Sequence, residues 1–175
     1  FNQQEQYETA VAAAVRHFVQ AHNGWVVLFA QVRGPTWAED DLVPAKRVKE
    51  SLLELADKVT LIEEIVPAKE LKAAYGQMDL FIGTRLHSNI FALSEGVPAI
   101  LIQYQYKTRG IAKMLDLEEW VLDIESLESH KLIEQLDRLT MQQADLRLRI
   151  DKALAEVQQK ARQVCPKIAA DFKRL

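Results

Sequence analysis

The stretch "MDLFIGTRLHSNIFALSEGVPAILIQY", residues 78–104, decides the fold. "MDLFIGT" (78–84) is a short apolar run of the kind that a parallel sheet buries on both faces. Helical spacing then runs from Leu86 to Glu95, Gly96 closes it, and "VPAILIQY" (97–104) is a second apolar strand. Strand, helix and strand with short connections read as a parallel βαβ unit. At its first junction the chain sets Arg85 and His87 two residues apart in an otherwise apolar passage.

Working outward, the same alternation continues in both directions. "EQYETAVAAAVRHFVQAH" (5–22) carries Ala and Val at helical spacing, and "NG" at 23–24 stops it. "WVVLFAQV" (25–32) reads as a buried strand, followed by the polar loop "RGPTWAEDDL" (33–42) and a helix from Pro44 to Asp57. "KVTLIEEIV" (58–66) is strand-like, and Pro67 opens a short helix that "YGQ" ends. Downstream, "KTRGIAKMLDL" (107–117) is helical and "EEWVLDI" (118–124) is the last strand. The expected fold is α/β: one domain over residues 1–175, with a Rossmann-like parallel sheet of four or five strands and helices on both faces. Beyond Ser126 the pattern becomes polar, leucine-rich and helical, in two pieces over residues 127–139 and 142–173. In the second, Ile150, Leu154, Val157, Ala161, Val164 and Ile168 alternate in steps of four and three. That stripe is too short for a coiled coil and Pro166 interrupts it, so a helix packed along its own domain, or along another, is expected.

Bulk properties narrow the function. With 175 residues, 49% hydrophobic and 27% charged, the chain has enough apolar material for a full core. A net charge of −3 leaves no basic footprint for nucleic acid. No apolar run approaches the ~20 residues of a membrane span. Four scattered histidines and the lone Cys165 show no metal-ligand spacing, so no metal site is expected. One cysteine cannot form an internal disulfide and suits a reducing compartment.

The junction after "DLFIGT" is where chemistry is expected. In open parallel sheets, ligands bind beyond the carboxyl ends of the strands, where loops enter helix N-termini. The first helical turn offers unpaired N–H groups and a partial positive charge, and a guanidinium there can grip a carboxylate or phosphate with two bonds. A histidine in the same turn adds a side chain of the type that exchanges protons near neutral pH. The alternative is structural, with His87 as a hydrogen-bonding spacer and Arg85 paired to a surface carboxylate.

"DLFIGTRLHSNIFALSEGVPAILIQYQYK" (79–107) resembles the signature of the polysaccharide pyruvyltransferase family: D, two apolar residues, I-G-x-R-L-H, an apolar helix, G-V-P, then a strand ending in tyrosine and lysine. The likeness continues more loosely through "MLDLEEWVLDI" and back to "WVVLFAQV". The resemblance implies one lobe of a two-lobe GT-B architecture and transfer of a pyruvyl (enolpyruvyl) group from phosphoenolpyruvate to a sugar hydroxyl pair. The product would be a pyruvate ketal on a cell-envelope polysaccharide or its precursor. Phosphoenolpyruvate and a glycan acceptor are then the partners, with no further cofactor. The location would be cytoplasmic or peripheral to the inner membrane.

By the same resemblance Arg85 binds the anion and Leu86 contributes its backbone, flanked by Thr84 and Ser88. His87 is the catalytic acid/base or a phosphate ligand. Tyr104, Tyr106 and Lys107 close the neighbouring strand end, with Lys107 as a second cation or a merely solvated one. Arg33 and Asp40 leave another strand end and could face the cleft, while "WAEDD" (37–41) is either a metal- or acceptor-binding loop or a solvated one. His17 and His22 are expected to have surface or helix-capping roles, and Trp25, Trp37 and Trp120 to pack. Family members place a strand ending in another arginine before the first helix. A chain opening at Phe1 therefore suggests the C-terminal lobe alone, with half of the active site and little activity by itself.

Two rival readings remain at this level. A GT-B glycosyltransferase using a nucleotide sugar carries a glutamate five residues before the glycine of G-x-P, a slot held here by Phe91, with Glu95 beside Gly96 instead. A non-catalytic lobe of the same fold would be favoured by a His87 buried among apolar side chains.

Overall fold

The computed structural model describes residues 3–36, 39–164 and 166. Its five strands are β1 (Val26–Phe29), β2 (Val59–Ile62), β3 (Phe81–Gly83), β4 (Ala99–Gln103) and β5 (Val121–Asp123). Its helices are α1 (Gln3–His22), α2 (Leu42–Glu50), α3 (Ala68–Tyr75), α4 (Leu86–Ser94), α5 (Lys107–Met114) and α6 (Ser129–Arg162). Every strand pairing is parallel, as short apolar strands alternating with helices require. The α/β class, the flanking helices and the long C-terminal helix are those read from the sequence.

Three details differ from that reading. The strands form two ladders, β1–β2 and β3–β4–β5, with no hydrogen-bonded pairing between them among the described residues. The rings of Phe29, Tyr75 and Phe81 form a chain of contacts from one ladder to the other, with centroids 5.0 and 4.7 Å apart in successive pairs. Helix α2 stops at Glu50 rather than Asp57, because Leu52 leaves the helix at φ −122° and sinks into the core at 1% exposure. The two C-terminal helical pieces are one helix of 34 residues. Thr140, at the expected break, bonds its hydroxyl to the Leu136 carbonyl one turn back and continues the helix.

The core explains the composition of α1. Ala10 and Ala14 face the main cluster around β4, α5 and α6, while Ala12, Val15 and Val19 face a second cluster with Val48, Leu52 and Val59. A helix wedged between two apolar surfaces needs small side chains on two faces, hence "TAVAAAV". Strand β4 is the centre of the molecule, with Ile100, Leu101 and Ile102 fully buried. Helix α6 closes the main cluster with Leu132, Leu136, Leu139, Leu146 and Ile150. The heptad-like stripe thus packs within the chain at Ile150, Leu154 and Val157, and becomes exposed at Ala161 and Val164. Trp120 is fully buried as expected, whereas Trp25 is 69% exposed beneath the Lys58 ammonium, 4.4 Å from its ring centroid. Trp37, Cys165 and Ile168 lie outside the described residues.

Backbone demands are met where the chain turns. Asn23 takes a left-handed φ of 51° to end α1, and Gly96 one of 75° to end α4. Arg147 of α6 donates to the Gly96 carbonyl at 3.1 Å, fixing the long helix to the βαβ unit. Gly83 is needed for space, since a Cβ there would collide with Asn89 Oδ1 and the Phe81 ring. Among the described residues no helix is long and apolar enough to cross a membrane.

Candidate functional site

Three strand ends meet at the carboxyl rim: the segment after β1, the β3–α4 junction and the segment after β4. Arg85 is the N-cap residue of α4, held extended at φ −78°, ψ 135°, so its side chain leaves the helix start over the rim. Its guanidinium is occupied by Asp41. Nε lies 3.0 Å and Nη2 2.7 Å from Asp41 Oδ1, and Nη1 donates to the Tyr104 hydroxyl at 3.4 Å. Asp41 Oδ2 in turn accepts the Val32 N–H at 2.9 Å, which anchors the carboxylate to the end of β1. The bonds to Asp41 hold the Arg85 pKa above its ordinary value, so the guanidinium stays charged.

Beneath this pair, Tyr7 of α1 shares a 2.9 Å hydrogen bond with Thr84 Oγ1. Burial pushes the Tyr7 hydroxyl up, opposed by the Thr84 bond, and Asp41 and Arg85 act on it electrostatically with opposite signs. Tyr7 is therefore a neutral phenol that ties α1 to the junction. It gave no signal in the sequence, where α1 reads as scaffold.

His87 lies in the first turn of α4, is exposed, and makes no hydrogen bond or ion pair with the described residues. Apolar burial, which would have favoured a non-catalytic lobe, is not what it shows. Ser88 is 5% exposed and donates its hydroxyl to the Arg85 carbonyl at 2.7 Å, so it shapes the turn rather than facing outward. Leu86 opens α4 with its backbone. Tyr106 and Lys107, at the N-cap and first residue of α5, are exposed on the same rim.

Arg33 is at the rim but committed to the loop. It pairs with Asp40 at 3.0 Å and donates to the Glu63 carbonyl at 2.6 Å, joining the ends of β1 and β2. The N–H of Leu42 first, and Arg33 as well, hold the Asp40 carboxyl below its ordinary value. The acidic loop therefore splits its two aspartates, Asp40 bracing Arg33 and Asp41 gripping Arg85. Composition alone marks the loop as acidic without saying which carboxylate reaches which arginine.

The position five residues before Gly96 holds an apolar side chain and no carboxylate. Phe91 packs beside Leu71, Tyr75, Ala92 and Val97, and Glu95, at the far end of α4, pairs with Lys72 at 3.0 Å.

Fold and rim together define the class, a Rossmann-like α/β lobe that presents a cation at the carboxyl edge of its sheet. The chain belongs to the polysaccharide pyruvyl transferase family, whose model matches residues 4–106. It is 27% identical over 153 residues to the amylovoran biosynthesis protein AmsJ of Erwinia amylovora, a match covering 87% of this chain and 37% of that protein. The chain thus spans little more than a third of that curated relative. Its fold is similar to part of a lysine-to-methionine mutant of the Thermobaculum terrenum O-GlcNAc transferase, with a TM-score of 0.60 at 20% identity. That likeness covers 84% of this chain and 29% of the other.

Proposed function

We propose that this chain is the anion-binding lobe of an enzyme that transfers the pyruvyl group of phosphoenolpyruvate to two hydroxyls of a polysaccharide or its precursor, forming a ketal. The observation that carries the reading is the convergence of Arg85, the α4 N-terminus and the unpartnered His87 on one rim. Phosphoenolpyruvate brings a carboxylate and a phosphate, and a guanidinium fork with a helix N-terminus suits either group.

The reaction balances without redox change. One acceptor hydroxyl adds to C2 while its methylene carbon gains a proton. The second hydroxyl then displaces phosphate, which leaves with the remaining proton as hydrogen phosphate. His87, exposed beside the anion site, is the group to move these protons, a contribution typically worth ~10²–10⁴-fold in rate. Arg85 is the group to hold the donor's negative charge, exchanging its Asp41 partner for the ligand. Lys107 and Tyr106 stand at the neighbouring strand end, within the same rim, for the other anionic group or the acceptor. A second lobe, supplying the opposite wall of the cleft, belongs to this proposal, in keeping with the longer relative.

Calorimetric titration of the full-length enzyme with phosphoenolpyruvate and with a panel of nucleotides tests it. Binding of phosphoenolpyruvate that weakens by about 1–3 kcal/mol in Arg85→Ala is expected. Tight nucleotide binding with no response to phosphoenolpyruvate would replace this reading with nucleotide-sugar transfer.

A further inference from the structure

At the opposite edge of the sheet from Arg85, α1 ends against α6. His17 and His22 come from the last turns of α1, and Asp137 from the second third of the first half of α6. His17 Nε2 lies 2.8 Å and His22 Nε2 3.2 Å from the same oxygen, Asp137 Oδ1. One donor atom from each of the three residues falls within 4.8 Å of the others. We propose that His17, His22 and Asp137 form a site for one divalent d-block ion, zinc foremost, which clamps the end of α1 to α6.

The donor set and spacing carry this. Two imidazole nitrogens and a carboxylate oxygen are the ligands zinc takes. Bond lengths of about 2.0–2.1 Å put neighbouring ligands of a tetrahedral zinc about 3.3 Å apart. The two nitrogen–oxygen separations already lie within half an ångström of that, and all three donor atoms fall within 4.8 Å of one another. The side chains are 32%, 30% and 35% exposed, which leaves the fourth position open to water. His22 is the last residue of α1, so the negative pole of that helix faces the site and favours a cation. The role is structural, since Asn23 and Gly24 lead directly from His22 into the amino end of β1, away from the rim that holds Arg85. Sequence spacing hides the site because Asp137 lies 120 and 115 residues from its two histidine partners.

The test is zinc chloride titrated by calorimetry into the protein after chelator treatment and desalting, with Cys165→Ser included so that no thiol competes. One equivalent should bind, and should raise the melting temperature. His22→Gln and Asp137→Ala should each weaken binding by at least the ~10–100-fold that losing even an outer-shell partner costs. No saturable binding, or one-equivalent binding that survives both substitutions, overturns the proposal. If a variant fails to fold, imidazole NMR of the unaltered protein decides. Zinc must then shift the resonances of two histidines and spare those of His87 and His130. Any other pattern also overturns it.

Discussion

Asp41 and Arg85 form an ion pair, 2.7 Å at its shortest, that spans the gap between the two ladders of the sheet. Asp41 belongs to the segment after β1 and Arg85 to the junction after β3, so the pair links at the rim two strands that exchange no backbone hydrogen bonds. The same contact fills the Arg85 guanidinium fork with a carboxylate of the protein itself.

Replacing Asp41 with Asn should therefore strengthen phosphoenolpyruvate binding. It removes a negative charge that competes for Arg85, and the amide oxygen can still accept the Val32 N–H. An increase of about three- to tenfold is expected from a partly exposed pair, far below the figure for a buried one. Calorimetry on the full-length enzyme measures it. Unchanged or weaker binding would make Asp41 an orienting group for the arginine instead of a competitor.

Arg85 and His87 should separate kinetically. Arg85→Lys keeps the charge but loses the planar fork, so KM for phosphoenolpyruvate should rise roughly tenfold. His87→Ala should lower kcat by ~10²–10⁴-fold while donor affinity stays within about threefold. Steady-state rates with binding isotherms for both variants resolve the two roles. Equal loss of affinity in both would assign His87 to phosphate binding.

Gly83→Ala should destabilise the protein by about 1–3 kcal/mol, because the added methyl group collides with the Asn89 side chain and the Phe81 ring. Asn89 is 1% exposed and its amide has no hydrogen-bond partner among the described residues, so its loss is tolerable at this position. Adding Asn89→Ala should recover part of the cost. Urea unfolding of the two single variants and the double variant gives the coupling directly.

Asp137 makes stability depend on acidity. Its carboxyl is held below the ordinary 3.8, first by the bond from His17, which outweighs the opposing effect of burial, and with a lesser contribution from His22. A lowered folded-state pKa means that this contribution is present above the unfolded-state value and lost as pH falls through the folded-state one. In the presence of chelator, the stability difference between the unaltered protein and Asp137→Asn should thus shrink as pH falls below about 4. Denaturant titrations from neutrality into acid check the sign.

Much of this was legible beforehand for a physical reason. Apolar runs such as "DLFIGT" and "PAILIQ" are buried on both faces, so their hydrophobicity registers without knowledge of partners. Breaks at Asn23, Gly76 and Gly96 follow from local backbone preference. The placement of Arg85 and His87 in the α4 entry turn follows in turn from the strand and helix on either side. Local signals were weaker for α6, where Thr140 and Met141 stand at the expected break but continue the helix.

What the chain determined alone is the order of strands and helices, and with it the position of an arginine and a histidine at a carboxyl rim. Those depend on hydrophobic period and turn chemistry, which act over a few residues. Tertiary structure decided the partners. It chose Asp41 over Asp40 for Arg85, buried Tyr7 against Thr84, packed Tyr75 between Phe29 and Phe81, and brought Asp137 to two histidines of α1. Each is a contact between segments far apart in the chain. Such contacts are set by how α1, the loops and α6 pack around β4, and no local pattern encodes that geometry.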